Sequence, residues 1–309
     1  MSLKHTPQTL WDKGQLCLAK KLCDVYTDFL NEKGWLKNYQ PKTSGDIGGA
    51  SSAEAQDHVT NRFLNSAARM QYVCIDVNNE QPKSRMMVLD QLAQGEIFIL
   101  DLAAGHGAGT LSILSTICEL RHQKIIPTLP LNVNIRGIDM SPDALNYYAE
   151  ILEKLKPWLT TNAIYAKLTF SVCDMNISGQ INEVLDDFFE EAKAKKSNRF
   201  LCTISAVSGI KKEGVERMMD SLKLIAARLS HKQKSSSWLW VEPKLEKSWL
   251  GTFVESISFT LKQIFSDSSS SSVSEEDISK APTRNFQWID PINDHVTNSR
   301  VVVMQFKNL

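Results

Sequence analysis

Ile97-Phe-Ile-Leu-Asp101-Leu-Ala-Ala-Gly105-His-Gly107-Ala-Gly109 is the stretch that decides the fold. A short apolar run ends in Asp101. Glycines follow at alternate positions, and Thr110-Leu-Ser-Ile-Leu then opens as a helix. This pattern predicts a buried strand, a glycine turn and a helix N-terminus, the α/β arrangement that holds an adenosine-containing ligand. The glycines let the backbone take positive φ and let a ligand approach with no Cβ in the way.

The spacing separates two kinds of nucleotide loop. G-x-G-x-x-G delivers a pyrophosphate to the helix N-terminus. Here the spacing is G-x-G-x-G, with a carboxylate four positions before the first glycine, which suits a ligand with a cationic end. Val133–Ile138 reads as a second strand, ending in Asp139 and Met140. An acid there can accept from both ribose hydroxyls. Ser141 and Pro142 are an N-cap and a first helical residue. Asp139 lies farther from Gly109 than the roughly 20 residues usual for such an acid. Residues 121–132 read as a loop insertion that accounts for the excess.

On these residues the chain resembles the class I S-adenosylmethionine (SAM)-dependent methyltransferases. Their first motif, D/E-x-G-x-G-x-G, is met by Asp101, Ala103, Gly105 and Gly107, with Ala103 in place of the first glycine. Their D-x-S-x-x-x-L continuation is met by Asp139, Ser141 and Leu145. The resemblance implies SAM as cofactor. It further implies that Asp174, ending a strand at Lys167–Cys173, accepts from the adenine amino group while Met175 packs on the ring. Asp174 also reads as an N-cap of the next helix.

Strands at 200–205, 237–241, 284–289 and 300–306 complete the count, with an amphipathic helix at about 214–229 and another across roughly 246–265. The expected fold is α/β: a Rossmann-like, seven-stranded, mostly parallel sheet with an antiparallel last strand, helices on both faces, and an N-terminal helical segment. Residues 95–309 would form the SAM-binding domain. Residues 1–94 would form a helical cap or lid, with helices at 9–33, 52–72 and 82–94 and a turn-rich hinge at Gly45–Gly49. Arg62 or Arg69 in this segment could pair with the SAM carboxylate, and His58 could act as a base. Trp11, Trp35 and Tyr39 read as packing residues.

The charge is balanced, with 35 basic and 35 acidic residues among 309, so the electrostatic footprint of a nucleic-acid binder is missing. Six cysteines without a C-x-x-C pair predict a reduced, cytoplasmic protein with no disulfide framework and no metal site. No long apolar run predicts a membrane span. Ser266–Ser274 reads as a mobile, serine-rich loop.

The acceptor is expected around Ser205–Gly209 and Glu242-Pro243, with Ser205 also beside the cofactor and Glu242 a second acid/base candidate. The Asn/Asp-Pro-Pro-aromatic motif of amino-methylating nucleic-acid enzymes is not there, nor is the Pro-Cys pair of the pyrimidine C5 enzymes. A small-molecule acceptor is therefore favoured over protein or RNA. A methyltransferase-like binding protein without transfer, or less readily an NAD-dependent oxidoreductase, is the alternative.

Overall fold

The computed structural model describes residues 6–42, 51–205, 207, 212–230, 235–243, 278–280 and 283–307. The sequence's helix at 246–265, its serine-rich loop and its glycine hinge lie outside these residues.

The first core strand, β3 (Gly95–Leu102), shows why the sheet sits between two helical layers. Side chains alternate along a strand. Ile97 and Ile99 enter one apolar cluster with α1 (Lys20–Glu32), α2 (Ser52–Ile75), α3 (Pro82–Gln91), α4 (Ala108–His122) and α5 (Pro142–Thr161). Phe98, Leu100 and Leu102 enter a second cluster with α6 (Ser178–Ala194) and α7 (Lys212–Leu229). Both faces are apolar because both are covered, as in parallel sheets generally.

The other strands are β4 (Leu131–Asp139), β5 (Ile164–Val172), β6 (Arg199–Ser205), β7 (Ser235–Glu242), β9 (Arg284–Asp290) and β10 (His295–Lys307). They run in space as β5-β4-β3-β6-β7-β10-β9, with β3 to β7 parallel and β10 antiparallel to both its neighbours. This is the expected seven-stranded order. It reverses direction between β3 and β6, which opens a crevice at their carboxyl ends.

Three short strands were not expected. β1 (Trp11–Asp12) and β2 (Gln15–Cys17) form a hairpin inside the predicted first helix, and β8 (Ile278–Lys280) pairs with β10. The hairpin turns on Lys13 and Gly14, both at positive φ, 49° and 85°. That two-residue geometry matches the twist of the flanking strands. β2 then lies parallel to β9, pairing Leu16 with Trp288 and extending the sheet. Gln71 of α2 ties the hairpin in place: its amide donates to Cys17 O at 2.6 Å and accepts from Ala19 N at 2.9 Å. The first helix thus begins at Lys20, not residue 9.

α2 starts at a capping box, in which Ser51 and Glu54 satisfy each other's backbone N–H. Every residue from Phe63 to Ile75 is buried. Tyr26 of α1 donates to α2 at Val59 O and Thr60 O, and Ser112 of α4 donates to Ala67 O at 2.7 Å. Among the described residues no helix is long and apolar enough to cross a membrane. All six cysteines are free thiols.

Candidate functional site

The glycine loop closes β3 onto α4 through an unusual run of backbone. Ala103, Gly105 and Gly107 all have positive φ, at 48°, 52° and 75°. Ala103 therefore holds the left-handed conformation that the motif usually gives to glycine, a strained choice for a residue with a Cβ. The three loop glycines are there for different reasons. A Cβ on Gly105 would meet nothing within 4 Å, so this position faces open space. A Cβ on Gly107 would stand 2.2 Å from the Tyr148 ring, so this glycine makes room for a core side chain of α5. A Cβ on Gly109 would stand 2.8 Å from Ser205 Cβ, so this glycine lets α4 approach the end of β6.

Asp101 is 2% exposed and sits behind the loop, not at its mouth. Its Oδ1 accepts from Thr203 Oγ1 at 3.0 Å. The Tyr148 phenol neighbours the same carboxyl group, yet Asp101 Oδ2 and Tyr148 Oη both lack a well-aligned partner. Burial pushes the Asp101 carboxyl up to about 7, against the opposing pull of these hydrogen-bonding neighbours.

Asp139 reaches back across the loop. Its Oδ2 accepts from Gly105 N at 2.8 Å and its Oδ1 from Ser141 N at 2.8 Å. The carboxylate thereby fixes the open glycine and the start of α5 together. Each oxygen keeps a second lone pair for a ligand. Burial raises its pKa, opposed by the backbone N–H groups. Met140 beside it is 56% exposed. Asp174 accepts from the N–H and side-chain amide of Asn176 at 2.9 and 2.7 Å, a local turn; it does not cap α6, whose N-cap is Ile177 without a side-chain capping bond. Met175 is buried in the second apolar cluster. Met140, Val172 and Ile177 are the exposed apolar side chains around this turn.

On the far side of the crevice, Ser205 ends β6 against Gly109. Glu242 ends β7 fully buried; its Oε1 accepts from Val207 N at 2.8 Å and from Trp240 Nε1 at 2.7 Å. This carboxylate pins the chain leaving β6, which makes it a positioning group. Arg69 of α2, also buried, donates to Arg300 O at 3.1 Å and feels the Glu242 charge; burial lowers its pKa to about 10.

His58 and Arg62 lie one turn apart on α2, each part-buried, and both act electrostatically on His106 in the glycine loop. His106 is 8% exposed, and its ring lies 5.4 Å from that of Phe63. The sequence reading passed over His106 and Tyr148. His106 carried a usable signal, as a titratable residue between two loop glycines. Tyr148 carried none, because its contact with Gly107 is made by the tertiary fold. Trp35 packs edge-on against Phe29 and Tyr147, and Tyr39 donates to buried Asp290 at 2.8 Å. Among the described residues no group of three His, Cys, Asp or Glu could hold a metal ion.

No protein-family model matches this chain, and no curated protein matches it. Solved structures do resemble it in outline. One, from Pyrococcus horikoshii and assigned as an RNA methyltransferase, is 10% identical at a TM-score of 0.37, covering 93% of this chain and 98% of its own. The precorrin-6y C5,15-methyltransferase of Geobacter metallireducens is 13% identical at 0.35, covering 73% and 89%. A loganic acid methyltransferase with SAH is 9% identical at 0.37, covering 87% and 99%.

Proposed function

We propose that this chain binds S-adenosylmethionine and transfers its methyl group to a small-molecule acceptor. One observation carries the reading. At the carboxyl ends of β3 and β4, Gly105 faces open space while its own N–H is held by Asp139, the acid that the motif assigns to ribose. A ligand can approach that backbone with no side chain in the way, next to a carboxylate that still has acceptor capacity.

The residues fit the cofactor. Asp139 would take the ribose hydroxyls, and exposed Met140 would offer the adenine an apolar surface. Met175 is turned into the core and is not available for that contact. Asp101 would act from behind the loop, where its carboxyl group accepts from Thr203 at the β6 side of the crevice. The sulfonium of the bound cofactor supplies an already activated methyl group, so the protein's task is mostly alignment and exclusion of water. α2 serves the second task, since it lays Phe63 over the loop at His106. Glu242 holds the β6 exit in place by its bond to Val207 N. That leaves His58 as the base candidate of the pair, for an acceptor that must lose a proton.

Calorimetric titration with S-adenosylhomocysteine (SAH) tests the cofactor assignment. Saturable binding at one site per chain is expected, with no comparable binding of NAD. Well-folded protein that ignores millimolar SAH would end the assignment. Binding without turnover on any acceptor would favour a non-catalytic binding protein.

A further inference from the structure

The sheet has two edges, and they are finished differently. One ends in β1, which is two residues long and folded back by the hairpin. A very short edge strand is a common way to keep a sheet from pairing with another chain. The other edge is β5, nine residues long and paired with β4 along its whole length. Among the described residues no strand pairs with its outer side. At about 3.3 Å per residue this is an open seam of roughly 30 Å. The strand carries little to blunt it. It holds neither proline nor glycine, and its register against β4 runs without a bulge. Tyr165, Phe170 and Val172 are exposed along it, and Ile177 is exposed just beyond its end. Lys167 is its one charged residue, and Glu191 of α6 holds that ammonium at 3.2 Å.

An open strand edge is completed by another strand, and a second copy of β5 matches this one. A two-fold axis through Leu168 sets all nine residues of one β5 antiparallel to all nine of the other. Phe170 then stands opposite Ala166, Tyr165 opposite Ser171 and Lys167 opposite Thr169. Each large side chain meets a small one, and no like charges stand directly opposite. The area also suffices. A whole aromatic side chain presents about 200 Å², so the exposed parts of Tyr165, Phe170, Val172 and Ile177 come to roughly 350 Å². Two copies bring about twice that, and the backbone seam carries the total to roughly 1,000 Å², the lower end of specific interfaces. The contact uses the same surface on both copies and closes after two.

We propose that β5 is a dimerisation edge, along which two copies of this chain pair antiparallel over Ile164–Val172 and join their sheets into one. The inference goes beyond the cofactor reading and does not depend on it. The carboxyl ends of the two sets of parallel strands point in opposite directions, so the two crevices lie toward opposite ends of the seam.

Sedimentation velocity on the full chain, over about 1 to 200 μM, should show monomer and dimer in exchange, as suits an interface of this size. Phe170→Lys and Val172→Lys, made together, set repelling charges along the seam. They should weaken the dimer tenfold or more and leave circular dichroism native, since both side chains are about half exposed. The register is tested separately, on chains carrying Lys167→Cys and Thr169→Cys. Mixed under mild oxidation, the two should crosslink to each other faster than either does to itself, with the parent's own free thiols as background. This second test decides the matter should the lysine variant fail to fold. A parent chain that stays monomeric at the highest concentration would overturn the proposal. So would a dimer indifferent to the lysines, or mixed cysteine chains that crosslink no faster than the parent. Hydrogen exchange at Tyr165–Val172 should slow as concentration rises; protection already complete in the monomer would show that the chain covers this edge itself, and would overturn the proposal as well.

Discussion

At the scale of single residues, two buried ionisable groups at the loop pull stability in opposite directions with pH. Asp101 keeps its proton in the fold up to about 7, while the unfolded chain releases it near the ordinary carboxyl value of 3.8. Between those values the native state binds more protons, so this group's contribution falls as pH rises. His106 is the reverse case. Its folded pKa of about 3 lies below the ordinary imidazole value of 6.5, so its contribution is lost as pH falls through that window. At 1.36 kcal/mol per unit, each effect is on the order of 4 kcal/mol, and the two largely cancel between pH 4 and 6.5. Asp101→Asn keeps the acceptor for Thr203 and removes the charge. It should be more stable than the parent at pH 8 and lose stability steadily below pH 6.5, as read from urea midpoints across the range. A variant with the parent's midpoint at pH 8 would show that Asp101 carries no burial penalty. The Asp101–glycine spacing was plain in the sequence. The burial that decides the chemistry of Asp101 was not, because it comes from Thr203 and Tyr148 on other elements.

At the scale of elements, the glycine loop shows how far a motif can be read. Its spacing announced a turn between β3 and α4, but not which glycine serves a ligand and which serves packing. The structure separates them. Gly107→Ala should cost 3 kcal/mol or more, because the new Cβ meets the Tyr148 ring in a conformation that L residues already disfavour. Gly105→Ala should cost about 1 kcal/mol, from backbone strain alone, yet weaken SAH binding at least tenfold. Denaturant midpoints and calorimetry on the two variants check this. Equal destabilisation by both would mean that Tyr148 does not set the need for Gly107. The hairpin at 11–17 was misread as helix for a comparable reason. Leu10, Leu18 and Leu22 fall near helical spacing, while Lys13-Gly14 was the turn signal that should have broken the run. In contrast, the starts of α2, α3 and α5 were legible to within a residue, because Ser51, Pro82 and Ser141-Pro142 act locally.

At the scale of the whole molecule, the seven principal strands were legible from their apolar runs, and the three short ones were not, since two or three residues carry no periodicity. One apolar cluster joins α1, α2 and α3 to the sheet without a seam. Unfolding should therefore be a single transition, with tryptophan fluorescence and far-ultraviolet circular dichroism giving coincident thermal curves. Trp11 and Trp35 report on the segment before residue 95, and Trp238, Trp240 and Trp288 on the sheet. Two separated transitions would show that the early helices melt as their own unit. The pairing of β2 with β9 has a further consequence, for the order in which the chain folds. On a ribosome, β3 to β7 can assemble as they emerge, each next to a strand already made. β2 cannot, because its partner is synthesised more than two hundred residues later. Arg69 waits in the same way for the Arg300 carbonyl. Closing such a long loop is slow. The hairpin is made early and docks only after β9 has left the exit tunnel, so the edge of the sheet that it covers is among the last parts of the native structure to form.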